Sequence, residues 1–214
     1  MFVLFIMKGY GIMNKYNVET QLYGDCLYEI KRRIDVIVDH INKKTVEKYL
    51  IIEVETVCLQ FRKILEKIAL MSLVANKELY AKENDKFAKH YHAERIFNDL
   101  EKINPDFYPV PIKRIKVQED NYEIVENDNG SLTKDEFIKI YEKCGGILHA
   151  QNPFSTQKNL HEIKECFSEW LNKICCLISH HKITLGGGKL LVIGLLETKQ
   201  TGFPQVVIYE LEEN

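Results

Sequence analysis

Lys143-Cys144-Gly145-Gly146-Ile147-Leu148-His149-Ala150-Gln151-Asn152-Pro153-Phe154 is the stretch on which the fold turns. Upstream of it, Thr133 and Glu136 stand three apart, as in a capping box, and Phe137, Ile140, Tyr141, Cys144 and Leu148 recur at helical spacing. The pattern predicts a helix that starts after Thr133 and runs into the stretch. Two adjacent glycines within a helix each cost about 1 kcal/mol relative to alanine, so something has to offset roughly 2 kcal/mol. At about 100° per residue, Gly145 and Gly146 lie one turn below His149 and Glu142 nearly two, which makes a bare groove beneath an imidazole. Asn152-Pro153 then ends the helix, because the residue before a proline is driven out of the α region.

Working outward, the rest of the chain supplies helices for this one to pack on. Leu22, Cys26, Ile30, Ile34, Ile37 and Ile41 recur every three or four residues between Val18 and Asn42, an amphipathic pattern. A second, longer helix is expected from about Thr45 to Ala81, with Val54, Cys58, Phe61, Leu65, Ile68, Ser72 and Ala75 as its apolar seam. Unbroken, its ~35 residues would span roughly 50 Å, which predicts a break near Tyr49 to Ile52 or an overhang toward a partner. Arg62 and Glu66 form an i, i+4 pair beside that seam, with Glu55 two turns earlier. Such a pair is either a bundle-edge ion pair or an arginine held by Glu66 for a phosphate or carboxylate. A last helix is expected from about Asn159 to Lys182, carrying Ile163, Cys166, Phe167, Trp170, Ile174, Leu177 and Ile178 on one side. His180 and His181 would end it, where imidazolium suits the helix dipole.

Between the bundle helices, residues 82 to 130 break the rhythm. A short helix is expected over Phe87 to Ile103, then a proline-set connector, Asn104-Pro-Asp-Phe-Tyr-Pro-Val-Pro111, and then a hairpin of Ile112 to Val117 with Tyr122 to Val125. Lys82, Lys86, Lys89, Arg95, Lys113, Arg114 and Lys116 make this insertion basic, as either a solvated face or a partner surface. His90-Tyr91-His92 lacks the i, i+4 spacing of helical metal ligands. Asn127-Asp-Asn-Gly130 to Glu136 has the glycine and glutamate of a calcium loop, but the first ligand position falls on Val125, which has no side-chain oxygen. Gly186-Gly-Gly188 is a break rather than a phosphate loop. Leu190 to Glu197 and Gln205 to Glu210 are expected as a terminal hairpin, pairing with the insertion hairpin or with residues 2 to 7.

The bulk numbers narrow the class. With 214 residues, 45% of them hydrophobic and 28% charged, the chain is expected to form one ordinary globular domain with additions. A net charge of −2 provides no global attraction to nucleic acid, so RNA binding would need a local patch. The six cysteines, at 26, 58, 144, 166, 175 and 176, form no C-x-x-C pair and no zinc spacing, which fits a reducing, cytoplasmic setting without metal or other cofactor. Met1-Phe-Val-Leu-Phe-Ile-Met7 is apolar but far shorter than the ~20 residues of a membrane span, so no membrane role is expected. The expected organisation is an N-terminal extension over 1–17, a helical bundle over 18–182 interrupted at about 82–130, and a C-terminal β-hairpin over 183–214 belonging to the same domain.

Two long helices, an insertion, a helix carrying a histidine before Asn-Pro, and a closing helix resemble the HEPN superfamily over about residues 18 to 182. The resemblance implies a mainly α fold, a HEPN-like four-helix bundle with an α/β insertion and a C-terminal β-hairpin. It also implies a homodimer, and either a metal-independent ribonuclease of a prokaryotic defence or toxin system or an inactive module of the same shape. The family's usual motif is an arginine followed after four to six residues by a histidine. Here His149 matches the histidine, and Lys143 stands where the arginine would be. Lysine offers a phosphate one mobile charge in place of a bidentate fork. Lys143 also lies about 120° from His149 on a regular helix, so a joint site needs a distortion at Gly145-Gly146 or a second copy across a two-fold axis.

The site implied by this resemblance therefore comprises His149 as the proton-transfer group and Lys143 or Arg62 as the cation, supported by Glu66, Gly145, Gly146 and Asn152. The chemistry would be attack of a ribose 2′-hydroxyl on the adjacent phosphate. Against it stands a second reading, in which His149 organises the Asn152-Pro153 turn and the protein is a catalytically inactive interaction or regulatory module. The sequence leaves both open, as it does the identity of an RNA or protein partner.

Overall fold

The computed structural model describes residues 17–44, 46–76, 93–118, 121–127, 130–150, 154, 156, 158–185 and 190–210. The chain is mainly helical, with a five-stranded antiparallel sheet on one side. Residues 1–16, Lys82, Lys86, Lys89, His90 to His92, Asn152-Pro153 and the Gly186–Gly188 break, on which several expectations rest, lie outside the described residues.

Helix α1 (Asn17–Asn42) and helix α2 (Leu50–Ala75) run antiparallel, with Arg33 donating to Gln60 Oε1 at 2.7 Å and Lys67 paired with Glu29 at 2.6 Å. The expected break falls at Tyr49, where a 3-10 turn (Glu47–Tyr49) hands over to α2. The predicted seam of α2 is buried through Val54, Cys58, Phe61, Leu65, Ile68 and Ser72. On α1 the predicted stripe reaches the core through Cys26, Ile30, Ile34, Ile37 and Ile41 but not at its first residue. Tyr23, Leu27, Ile30 and Ile37 are fully buried, whereas Leu22 is 43% exposed, because the adjacent sheet takes up the Tyr23 side.

Helix α3 (Ala93–Ile103) covers the described part of the insertion's helical segment. It packs on α2 and brings Phe97 against Phe107, Tyr108 and Phe137. The hairpin follows as β1 (Val110–Gln118) and β2 (Asn121–Glu126), and Gly130 takes a positive φ of 69° in the turn beyond. Helix α4 (Lys134–Leu148) begins with the predicted capping box, Thr133 Oγ1 accepting from Glu136 N while Glu136 Oε2 accepts from Thr133 N. Lys173 and the Thr133 backbone donor hold the Glu136 carboxyl down at about 2.

The expected single helix over residues 159 to 182 is a correction. It is two helices, α5 (Leu160–Glu165) and α6 (Phe167–Ile178), bent at Cys166, followed directly by strand β3 (His180–Leu185). Along β3, His181, Ile183 and Leu185 are buried and the intervening residues less so, a period of two that no helix satisfies. His180 and His181 therefore do not cap a helix. His181 is wholly buried, and its Nδ1 lies 2.9 Å from the Ile178 carbonyl. A carbonyl only accepts, so Nδ1 carries the proton and Nε2 accepts from the Tyr23 hydroxyl at 2.7 Å. Burial drives the His181 pKa down to about 4.

Strand β3 links the two hairpins. It pairs with β1 at Val110 and Pro111 and with β4 (Leu190–Leu195) along its length, and β4 pairs with β5 (Gln205–Glu210), giving the order β2-β1-β3-β4-β5. Gly194 faces the His181 ring so closely that a Cβ there would overlap it. The main core lies between the helices and the inner face of the sheet, and Ile112, Ile124, Leu191 and Ile193 form a second apolar cluster. Among the described residues no helix is long and apolar enough to cross a membrane.

Candidate functional site

Helix α4 carries Lys143, Gly145 and Gly146 and ends at His149, α2 carries Arg62 and Glu66, and the packing of the two helices decides what each can do. The Cys58 and Cys144 thiols are hydrogen-bonded across the interface of the two helices, and that bond and burial push the Cys144 pKa strongly up. Both residues are fully buried and behave as core groups.

Arg62 lies next to this pair and turns toward α4. Its guanidinium carbon sits 3.9 Å from the centroid of the Tyr141 ring. Nη2 donates to the Tyr141 hydroxyl at 2.7 Å, Nη1 to the Tyr141 carbonyl at 3.5 Å, and Nε pairs with Glu66 at 3.4 Å. The Tyr141 hydroxyl donates in turn to Glu66 Oε1 at 3.3 Å, and Lys63 holds the other carboxylate oxygen at 2.8 Å. The predicted pair of Arg62 and Glu66 is thus one edge of a four-residue clamp between the helices, with Arg62 and Glu66 only 24% and 19% exposed.

Gly145 is required by this clamp. A Cβ built there would overlap Arg62 Nη1, whereas among the described residues a Cβ at Gly146 would meet no heavy atom within 4 Å. One glycine of the pair is explained by an internal contact. The other faces open space on an exposed part of the helix.

Lys143, Gly146 and His149 follow one another at three-residue steps on α4, and all three are exposed. Three residues turn a helix by about −60°, so Gly146 lies midway between the other two on one surface. Helix α4 is unbroken to Leu148, so the glycine pair introduces no distortion that would bring Lys143 and His149 onto one line. Lys143 Nζ leans over the Trp170 ring at 5.5 Å from its centroid, and Trp170 packs in turn on Phe61 and Phe167. His149 is the C-cap residue, with φ −83° and ψ 137°. Asn152 lies outside the described residues.

One residue escaped the sequence reading. Lys158, half-buried, reaches back so that its ammonium donates to the Gly146 carbonyl at 2.5 Å and lies 3.4 Å from that of His149. These are C-terminal carbonyls of α4 with no partner inside the helix. The only sequence signal was a lysine in the polar loop after the helix, and nothing in its spacing assigns it to this helix end.

Chemically, the surface offers a mobile cation, an imidazole and a second ammonium around a patch of bare helix. Among the described residues no group of three His, Cys, Asp or Glu side chains could hold a metal ion. Comparisons with protein-family models, with curated proteins and with solved structures returned no match.

Proposed function

We propose that this chain is a HEPN-like RNA-binding protein that cleaves RNA without metal, with His149 as the proton-transfer group and Lys143 as a phosphate ligand, acting as a homodimer of the kind found in prokaryotic defence and toxin systems. The observation that carries the reading is the exposed run Lys143, Gly146, His149, with the bare glycine between cation and imidazole. A backbone phosphate needs close approach and positive charge, and an imidazole beside it is suited to proton transfer near neutral pH. Arg62 is committed to Glu66 and Tyr141, so its part is to seat α4 on α2.

In the reaction the 2′-oxygen bonds to phosphorus as the bond to the 5′-oxygen breaks. One proton leaves the 2′-hydroxyl and one is delivered to the departing 5′-oxygen, leaving a 2′,3′-cyclic phosphate and a 5′-hydroxyl. Base and acid act on opposite sides of an in-line phosphorus, so one imidazole cannot do both at once. The second is His149 of another copy.

Incubation of the purified protein with labelled RNA in EDTA tests this. Cleavage to cyclic-phosphate ends that is lost in His149→Ala is the expected result. RNA bound but left uncut by wild type removes the catalytic part, and absence of binding removes the whole reading. The inactive-module reading is favoured by a different observation: Val46, Tyr49, Ile51, Ile52 and Leu59, at and around the start of α2, are all exposed. If a second copy covers them, Ile52→Glu with Leu59→Glu converts a dimer to monomer in sedimentation. A wild-type monomer at micromolar concentration would rule out that contact and the paired imidazoles together.

A further inference from the structure

We propose that Lys158 is a second cation serving His149, anchoring with Lys143 a phosphodiester of single-stranded RNA over Gly146, where the sequence pointed to Lys143 or Arg62. The inference rests on the RNA-binding reading above.

Three observations carry it. Lys158 Nζ is bonded to the carbonyl of Gly146, the residue whose outer side is open, and it lies 3.4 Å from the carbonyl of His149 itself. Its ammonium is thereby fixed at the same helix end as the imidazole, whereas Lys143 lies two three-residue steps back along α4 and Arg62 is turned inward. An ammonium has three donors, and two carbonyls take at most two of them, which leaves one for a phosphate oxygen.

Electrostatics make this position necessary as well as available. The C-terminus of α4 presents the negative end of its dipole, about half an elementary charge, which would repel a phosphate beside His149. Lys158 offsets that charge on the carbonyls where it arises. A phosphate seated on Gly146 would then meet Lys158 on the side of the helix end and Lys143 on the other. The strand must be single, because in-line attack needs the 2′-hydroxyl opposite the 5′-oxygen, a geometry that an A-form duplex does not adopt.

A plain helix cap would explain the same hydrogen bonds, so the experiment separates charge from capping. Fluorescence anisotropy with a labelled oligouridine, repeated across a salt series, is applied to wild type, Lys158→Gln and Lys158→Arg, with thermal denaturation of each as a check on the fold. Glutamine still donates to the Gly146 carbonyl but carries no charge. The expected result is several-fold weaker binding by Lys158→Gln, with the slope of log affinity against log salt shallower by about 0.7, and wild-type behaviour in Lys158→Arg. If Lys158→Gln is unstable, Lys158→Arg against Lys158→Met at a temperature where both are folded gives the same comparison. A neutral variant with wild-type affinity and slope reduces Lys158 to a cap and overturns the proposal. Absence of salt-dependent binding by wild type overturns the parent RNA-binding reading instead.

Discussion

Alanine at Gly146 and alanine at Gly145 should move stability in opposite directions. Neither glycine is among those with positive φ, so alanine is compatible with the backbone at both and gains about 0.5–1 kcal/mol of helix propensity. At Gly146 the new methyl meets no atom of the described residues, and the full gain should appear. At Gly145 it lands on Arg62 Nη1, and since that atom ends a flexible side chain, the cost is what Arg62 loses by moving. Leaving the Tyr141 ring costs about 0.5–1 kcal/mol, and losing the hydrogen bond to the Tyr141 hydroxyl about 1 kcal/mol. The ion pair with Glu66 adds little, because Lys63 remains on that carboxylate. After the propensity gain is subtracted, Gly145→Ala should destabilise by about 1 kcal/mol, against stabilisation of up to about 1 kcal/mol for Gly146→Ala. Urea titrations followed by circular dichroism measure both, and the cycle with Arg62→Ala isolates the cause. In the Arg62→Ala background Gly145→Ala should become stabilising. Equal stabilisation by both alanines in the wild-type background, or a cost at Gly145 that survives removal of Arg62, would refute the close-approach argument.

His181 should give the protein an acid-sensitive core. Its folded pKa is held near 4 against about 6.5 in an unfolded chain, so between those values the unfolded state binds more protons and stability falls as pH falls. From pH 7 to pH 5 the loss from this group should be about 2 kcal/mol, measurable by denaturant titration at each pH, and absence of that slope would place a charged or exposed histidine there. Tyr23→Phe removes the donor to Nε2 and should cost about 1–2 kcal/mol at pH 7, since the buried nitrogen is left unpaired. Asn104→Leu should cost about 2 kcal/mol, lowering the melting temperature by several degrees, because Asn104 ties Asn76 Oδ1 at 2.7 Å to the Thr184 carbonyl at 2.9 Å; a wild-type melting temperature would show the bridge to be dispensable.

Features set by near neighbours in the chain were legible in the sequence. The capping box of α4 depends on a three-residue offset, and the Tyr49 break and the two hairpins on similarly short patterns. Features that depend on what arrives from afar were not. Leu22 and Tyr23 fit helical stripes one residue apart, and the sheet decides between them, because Tyr23 pairs with His181 across 158 residues. The same contact hid β3: His180 to Leu185 continues the apolar rhythm of α6, and its alternation becomes favourable only when Tyr23 and Gly194 receive His181.

The glycine pair shows where that limit bears on function. The sequence established that roughly 2 kcal/mol had to be offset, without saying by what. The clamp of Arg62, Tyr141 and Glu66, formed across 79 residues, accounts for Gly145, whereas at Gly146 the carbonyl accepts from Lys158 and, among the described residues, no atom fills the space a Cβ would take. A residue that weakens its helix and leaves its outer side bare is what a binding surface requires, since a side chain there would hold a ligand away from the backbone. The unexplained cost therefore lies at the helix end that carries His149 and that Lys158 reaches, one helical turn beyond Lys143. If Gly146→Ala stabilises the fold while weakening RNA binding, that cost is accounted for by the ligand; if it stabilises the fold and leaves binding unchanged, the ligand lies elsewhere.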